Sequence, residues 1–283
     1  MTNKLFALTL TASLAAATAF AAPQRPAYTT ESRPGSRAAL TGLPSEYNRA
    51  QRPLFTLENR MPDQGHVEVG VSGGMNNIEE NMYVPNADVY HIAADFRLGL
   101  IDAMALTAHI PFVSWELDPD DNKENGLGDI HVGLQFRAFE DIFEYPWIIL
   151  HGEVGCPTGD EDKGLGADGI TGIAGLSIGT TVEDVWHFIV DGSWIMNDDV
   201  DDDQDGFVRV SGTIMWDLDE ACSLMVEMRY LDYVTEEDES ATFMGGAGIS
   251  YDFGNGLAAA VYGGASTGCG NDGYGAAKLV YSF

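Results

Sequence analysis

The last ten residues, Tyr274 to Phe283, read YGAAKLVYSF. Gly275, Ala277, Leu279, Tyr281 and Phe283 fall on one side of a period of two. Ala276, Lys278, Val280 and Ser282 fall on the other. Successive side chains of a β-strand point to opposite faces, so this alternation predicts a strand with one apolar, aromatic face and one small or polar face. The same period runs back through the chain as far as His66. Tyr90, Ile92, Ala94, Phe96 and Leu98 alternate with His91, Asp95 and Arg97; Ile130, Val132, Leu134 and Phe136 alternate with His131, Gln135 and Arg137; Leu224, Val226, Met228 and Tyr230 alternate with Glu227 and Arg229.

Twelve such segments are legible, at about 64–75, 87–99, 102–114, 127–140, 145–157, 168–181, 185–197, 206–218, 222–235, 240–253, 256–266 and 274–283. Each is long enough to cross a bilayer at a tilt, for which about 9 to 11 residues suffice. No later apolar run reaches the roughly 20 residues of a membrane helix, so a membrane protein of this sequence must be a barrel. The closing strand, ending on an aromatic carboxy-terminus, resembles the last strand of bacterial outer-membrane barrels, which implies an even strand number and recognition of Tyr281 and Phe283 by the barrel-assembly machinery. Connections between the segments read alternately short and long, the long ones near 76–86, 115–126, 158–167, 198–205, 236–239 and 267–273. The fold expected is therefore all-β: a closed, antiparallel, twelve-stranded transmembrane β-barrel with short periplasmic turns and longer acidic extracellular loops. Aromatics near the strand ends, among them Trp115, Trp147, Trp186, Trp194, Trp216 and Phe283, suit two interfacial girdles in contact with outer-membrane lipid.

The amino-terminus has the form of an export signal: Lys4, an Ala-rich apolar stretch from Leu5 to Phe20, and an Ala19-Phe20-Ala21 cleavage pattern. Residues 1–22 are read as a signal peptide, 23–63 as a Pro- and Arg-rich periplasmic lead-in, and 64–283 as the barrel. Export of a barrel places it in the outer membrane of a Gram-negative bacterium. The formal net charge is −30, with 44 acidic residues against 14 Lys and Arg. Residues 23–60 run against this, with six arginines and three glutamates. An acidic body of this kind repels nucleic acid, which is excluded as a partner. Three cysteines at no recognisable spacing give neither a disulfide framework nor a zinc signature.

Two short runs point to a family. Gly126-Leu127-Gly128-Asp129 opens the strand that continues IHVGLQFR, and Pro157-Thr158-Gly159-Asp160 precedes Lys163-Gly164-Leu165-Gly166. In this order, one hairpin apart, they resemble signatures of the MetA-pathway of phenol degradation family. That resemblance covers the middle third of the chain and implies an exported barrel with a transport role. It implies no catalytic residue.

The less apolar strand faces supply the candidate site. His66, His91, His109, His131, His151 and His187 all fall on it, as do Asp95, Arg97, Arg137, Glu153, Asp191, Arg209, Glu227, Arg229 and Lys278. In a barrel that face turns inward. His91, His109, His131 and His151 are expected at similar heights on successive strands, an arrangement able to bind a metal or respond to pH. The plainer reading, a polar lining in which His pairs with carboxylates and Arg, weighs more. Asp201, Asp203 and Asp205 precede Gly206 in a D-x-D-x-D-G loop, the pattern that wraps a hard cation. The position of the bidentate Glu is Gly212, so the loop is not an EF-hand and holds calcium loosely if at all. No other cofactor is expected. Gly164-x-Gly166-x-x-Gly169 matches a dinucleotide fingerprint in letters only, because no helix follows it; these glycines read as a flexible loop tip.

The function these features support is passage of a small-molecule solute through a polar lumen, without catalysis. Two alternatives stand beside it. One is a structural or surface-binding barrel with a plugged interior and cation-binding loops. The other is a barrel hydrolase built on His187, Asp191 and Ser193, whose spread of about 20 Å along one strand disfavours a triad.

Overall fold

The structure is a computed structural model, and it describes residues 61–78, 87–117, 122–139, 146–167, 169–183, 185–197, 207–233, 242–267 and 271–283. Its strands are β1 (Val67–Ile78), β2 (Ala87–Ile101), β3 (Met104–Leu117), β4 (Asn122–Leu127), β5 (Ile130–Phe139), β6 (Trp147–Cys156), β7 (Thr171–Val182), β8 (Trp186–Asn197), β9 (Phe207–Asp217), β10 (Cys222–Tyr233), β11 (Thr242–Gly254), β12 (Leu257–Thr267) and β13 (Asn271–Ser282). All belong to one sheet in which each strand pairs antiparallel with its neighbours, and the β2–β3 pairing closes the ring.

β13, the carboxy-terminal strand, is the seam. It pairs with β12 on one side and with β1 on the other, with Leu279 opposite Val71 and Lys278 opposite Ser72. The amide of Phe283 donates to the carbonyl of Val67 at 2.9 Å. Closure leaves no strand edge at the seam, which is what allows a sheet to stand in hydrocarbon.

β4 and β5 share β3 as partner: β4 pairs with its last residues, Phe112 to Leu117, and β5 with Met104 to His109. They are one stave interrupted at Gly128-Asp129, where the Gly128 amide still reaches the Pro111 carbonyl at 2.9 Å. The ring thus has twelve staves, as the sequence predicts, built from thirteen strands.

The period of two is realised as two chemically different walls. Ile92, Val190 and Val261 are 62%, 58% and 58% exposed, while their strand neighbours Ala93, Asp191 and Ala260 are each 2%. Every stave of the ring turns large apolar side chains outward in this way. An apolar surface continuous around the ring is too large to leave in water and needs a hydrocarbon surrounding. Outward rings gather at the end of the ring carrying the short connections: Trp186 stacks on Trp216 at 5.4 Å, Tyr251 meets Phe253 edge-on at 5.0 Å and Tyr281 meets Phe283 at 4.7 Å. They form one aromatic girdle.

Three expectations need correction. The short–long rhythm of connections is not strict: residues 118–121 and 268–270, on the loop end, are shorter than 140–146 on the turn end. The segment expected as loop 115–126 is mostly strand, because the β3–β4 ladder continues to Leu117 opposite Asn122. The first strand begins at Val67 rather than 64. Just before it, the Gly65 amide donates to the Gly99 carbonyl at 2.8 Å and the Gly99 amide to the His66 carbonyl at 3.1 Å. This leaves His66 exposed at the turn end, before the strand begins, with Met61 and Pro62 buried.

Candidate functional site

The inner wall carries two polar networks and one apolar cluster, and the second network shares β6, β8 and β9 with that cluster. In the first network, β1, β2, β3 and β5 bring together Glu68, Ser72, Asp95, Arg97, His109 and Gln135, all buried. Arg97 donates to Glu68 at 2.6 Å and to Gln135 at 3.2 Å, and the Ser282 hydroxyl donates to the other oxygen of Glu68 at 2.9 Å. Asp95 accepts from the Ser72 hydroxyl at 2.8 Å and from Nδ1 of His109 at 2.6 Å. Arg137 donates to the Asp102 carbonyl at the turn end. Charges turned inward are therefore mostly paired, as burial demands.

The histidines do not form one layer. His109 and His131 are direct cross-strand partners, ring centroids 6.4 Å apart and edge-on. His91 sits four residues beyond Asp95, nearer the loop end, while His151 lies opposite Gln135, nearer the turn end. Glycines seat three of these rings: His91 is opposite Gly74, His131 opposite Gly155 and His151 opposite Gly175. Large side chains can then lie against the wall instead of filling the bore. Among the described residues, no group of three or more His, Cys, Asp and Glu is placed to hold a metal ion.

A second network runs across β6, β8 and β9. His151 donates to Asp191 at 2.9 Å, Ser193 donates to the same carboxylate at 3.1 Å, and Arg209 donates to the Ser193 hydroxyl from Nε at 3.1 Å and from its terminal nitrogen at 2.9 Å. His187 turns elsewhere, to Asp217 at 2.8 Å, with the Thr181 hydroxyl 3.0 Å from its other nitrogen. The three residues weighed as a hydrolase triad are thus split between two networks. Glu227 accepts from Thr213 at 2.9 Å. Arg229 is 1% exposed, and Lys278 is buried on the inner face of β13.

An apolar cluster on the same side of the ring departs from the polar lumen expected. Trp147, Ile149, Ile189, Met215, Met225, Met244, Ala260 and Tyr262, all inward-facing, form one buried cluster, with Tyr274 and Ala276 packed against it. Met61, from just before β1, belongs to the same cluster. The signal for this cluster was present in unbroken apolar runs such as WIIL at 147–150 and LMV at 224–226, where both strand faces are apolar.

The loop end carries a third construction. Residues 157–167 leave β6 and fold back around Asp129, at the break between β4 and β5. One carboxylate oxygen of Asp129 accepts the amides of Thr158 at 3.1 Å and Gly159 at 2.9 Å, and the other accepts that of Ala167 at 2.8 Å. The Thr158 hydroxyl donates to the Gly128 carbonyl at 3.0 Å and accepts from the Ile130 amide at 2.9 Å. The expectation of a flexible tip at Gly164 and Gly166 is overturned: both are buried. A Cβ on Gly159 would stand 2.7 Å from the Gly166 Cα, and one on Gly166 would collide with the Asp129 carboxylate.

Residues 59–283 match the model of the family described as "Putative MetA-pathway of phenol degradation". The chain belongs to this family. Its two family runs, GLGD at 126–129 and PTGD at 157–160, are the two sides of the Asp129 construction. Among solved structures, this family member is similar to the COG4313 outer membrane channel from Pseudomonas putida F1, at 13% identity and a TM-score of 0.66, covering 78% of this chain and 96% of that one. It is also similar to the KdgM porin (10%, 0.52, covering 76% and 99%) and the NanC porin (9%, 0.53, covering 76% and 98%). At these identities the likeness is one of fold. No curated protein matches the chain.

Of the site residues expected from sequence, Asp95, Arg97, His109, His131, Arg137, His187, Asp191, Arg209, Glu227, Arg229 and Lys278 are buried on the inner wall. His91, His151 and Glu153 share that wall with partial exposure. Asp201, Asp203 and Asp205 lie outside the described residues. Sequence reasoning missed Asp129, the apolar cluster and Met61 as parts of the site.

Proposed function

We propose that this barrel is an outer-membrane channel that passes a small organic solute. The observation that carries the reading is the mixed inner wall: hydrogen-bonded charges such as Arg97, Asp95, Asp191 and Arg209 share it with an apolar cluster that includes Trp147, Ile149, Ile189, Met215 and Met225. A solute with an apolar body and a hydrogen-bonding edge finds complementary surface of both kinds along such a wall. Buried atoms such as Glu153 Oε2, His131 Nδ1 and Ser211 Oγ make no hydrogen bond among the described residues and stand ready for such an edge. Similarity to solved channels and porins supports the channel class without naming a solute. Passage needs no catalysis.

The same reading takes residues 1–22 as an export signal, sets the short connections in the periplasm, and has the assembly machinery recognise Tyr281 and Phe283, whose rings stand exposed at the seam. Solute flux into vesicles tests it. Liposomes carrying the refolded barrel should admit small amphipathic solutes faster than sugars of equal mass, and equal exclusion of both would count against it. A plugged barrel is the second reading, and Met61 favours it, since a residue of the lead-in already sits in the lumen cluster.

A further inference from the structure

We propose that residues 157–167 are a strap folded into the loop-end mouth of the barrel, latched by Asp129, and that they set the width of that mouth. The inference rests on the channel reading for its consequence and on geometry alone for the latch.

The strap lies inside the ring. Val113 and Gly126 are cross-strand partners on β3 and β4, and Val113 is an inner-wall residue at 0% exposure. A Cβ on Gly126 would stand 2.8 Å from the tip of Leu165, which is itself 2% exposed. Leu165 therefore presses on the inner wall through the space that Gly126 leaves. Trp115, another inner-wall residue, donates its indole N–H to the Lys163 carbonyl at 2.9 Å. Between these contacts a short 3-10 turn, Glu161–Lys163, ends on Gly164 at φ 65, the left-handed region that glycine adopts without strain.

The latch is a single carboxylate. Asp129 is 1% exposed and takes three amide donors from both ends of the strap, Thr158 and Gly159 on one side and Ala167 on the other. Bonds from amides to an ionised acceptor are the stronger kind, and here they tie the two ends of the strap to one point. Gly159 and Gly166 bring the two backbones close enough for this. The break in the stave at Gly128-Asp129 is what turns the carboxylate toward the strap instead of along a ladder. Leu165, the Trp115 bond and the Thr158 hydroxyl, which bonds Gly128 and Ile130, hold the strap beside it.

The chain offers a direct reporter. Lys163 is the sole Lys or Arg between Arg137 and Arg209, and its side chain is about half exposed. Trypsin cleavage there reads how often the strap opens, since proteolysis follows the open population when closing is fast. The experiment uses the full mature chain refolded in detergent, as wild type, Asp129→Ala and Trp115→Phe, each checked for the gel shift between boiled and unboiled samples. Asp129→Ala should raise cleavage after Lys163 by about tenfold or more, and Trp115→Phe by about two- to tenfold. In planar bilayers both variants should carry larger single-channel currents than wild type. A folded Asp129→Ala barrel cut at the wild-type rate overturns the latch. Faster cutting with unchanged current overturns the strap as the mouth's constriction. Silence of wild type and variants alike overturns the channel reading, and with it the constriction, while the cleavage rates still decide the latch.

Discussion

Nε2 of His151 lies 2.9 Å from Oδ2 of Asp191 although their strands, β6 and β8, are separated by β7. The imidazole reaches across because the inner-wall residue of β7 opposite it is Gly175. A Cβ there would stand 2.5 Å from Nε2 of the ring. One glycine thus joins three staves through a buried pair.

Gly175→Val should break that bridge. The added side chain displaces His151 and leaves Asp191 short of a donor in a buried position. Overpacking of this kind costs about 1–3 kcal/mol, read as a lower urea midpoint for the barrel refolded in detergent. An unchanged midpoint would mean that the ring of His151 has room the geometry denies it.

At the seam, Glu68→Ala should be more damaging than the loss of one contact suggests. Glu68 and Arg97 are each 3% exposed, and Glu68 also holds Ser282 of β13. Removing one member of a buried ion pair strands the other charge, at about 3–5 kcal/mol. The double variant Glu68→Ala/Arg97→Met should recover much of that loss. A double variant as unstable as the sum of the singles would show that the pair is not coupled.

The outward face gives a prediction of opposite kind. Val226 is 54% exposed at the middle of β10. On a soluble barrel Val226→Arg would be harmless. In a bilayer it should cost about 2–4 kcal/mol, seen as reduced insertion into lipid vesicles with little change in detergent micelles.

How much of this was readable beforehand depended on contrast. Strands such as β2 and β10 show lipid-facing Ile92 or Val226 beside lumen-facing Asp95 or Glu227, so period two stands out and the stave count follows. β4 shows none. Its residues Asn122 to Leu127 pair only with β3 and include Lys123 and Glu124, so no apolar alternation marks them. The apolar cluster of the lumen hid for the reverse reason, since Ile149 and Met225 face inward while Leu150 and Val226 face outward and both are apolar. The Asp129 latch joins residues as far apart as Ala167, and no local pattern encodes a bond between a strand break and a distant loop. The only sign of it was that two short motifs occurred together.

Met61 yields a prediction about the lumen. It belongs to the buried cluster that includes Trp147, Met215 and Tyr262, so a barrel lacking residues 23–61 should retain its gel shift and carry more current than the mature chain. Equal currents would separate the lead-in from the passage.

The central claim, a barrel that conducts, is tested most directly by planar-bilayer recording of the purified, refolded mature chain. Discrete current steps are expected, and they should persist with residues 23–61 removed. No step at any salt or pH, from either form, would contradict the channel and leave a closed structural barrel.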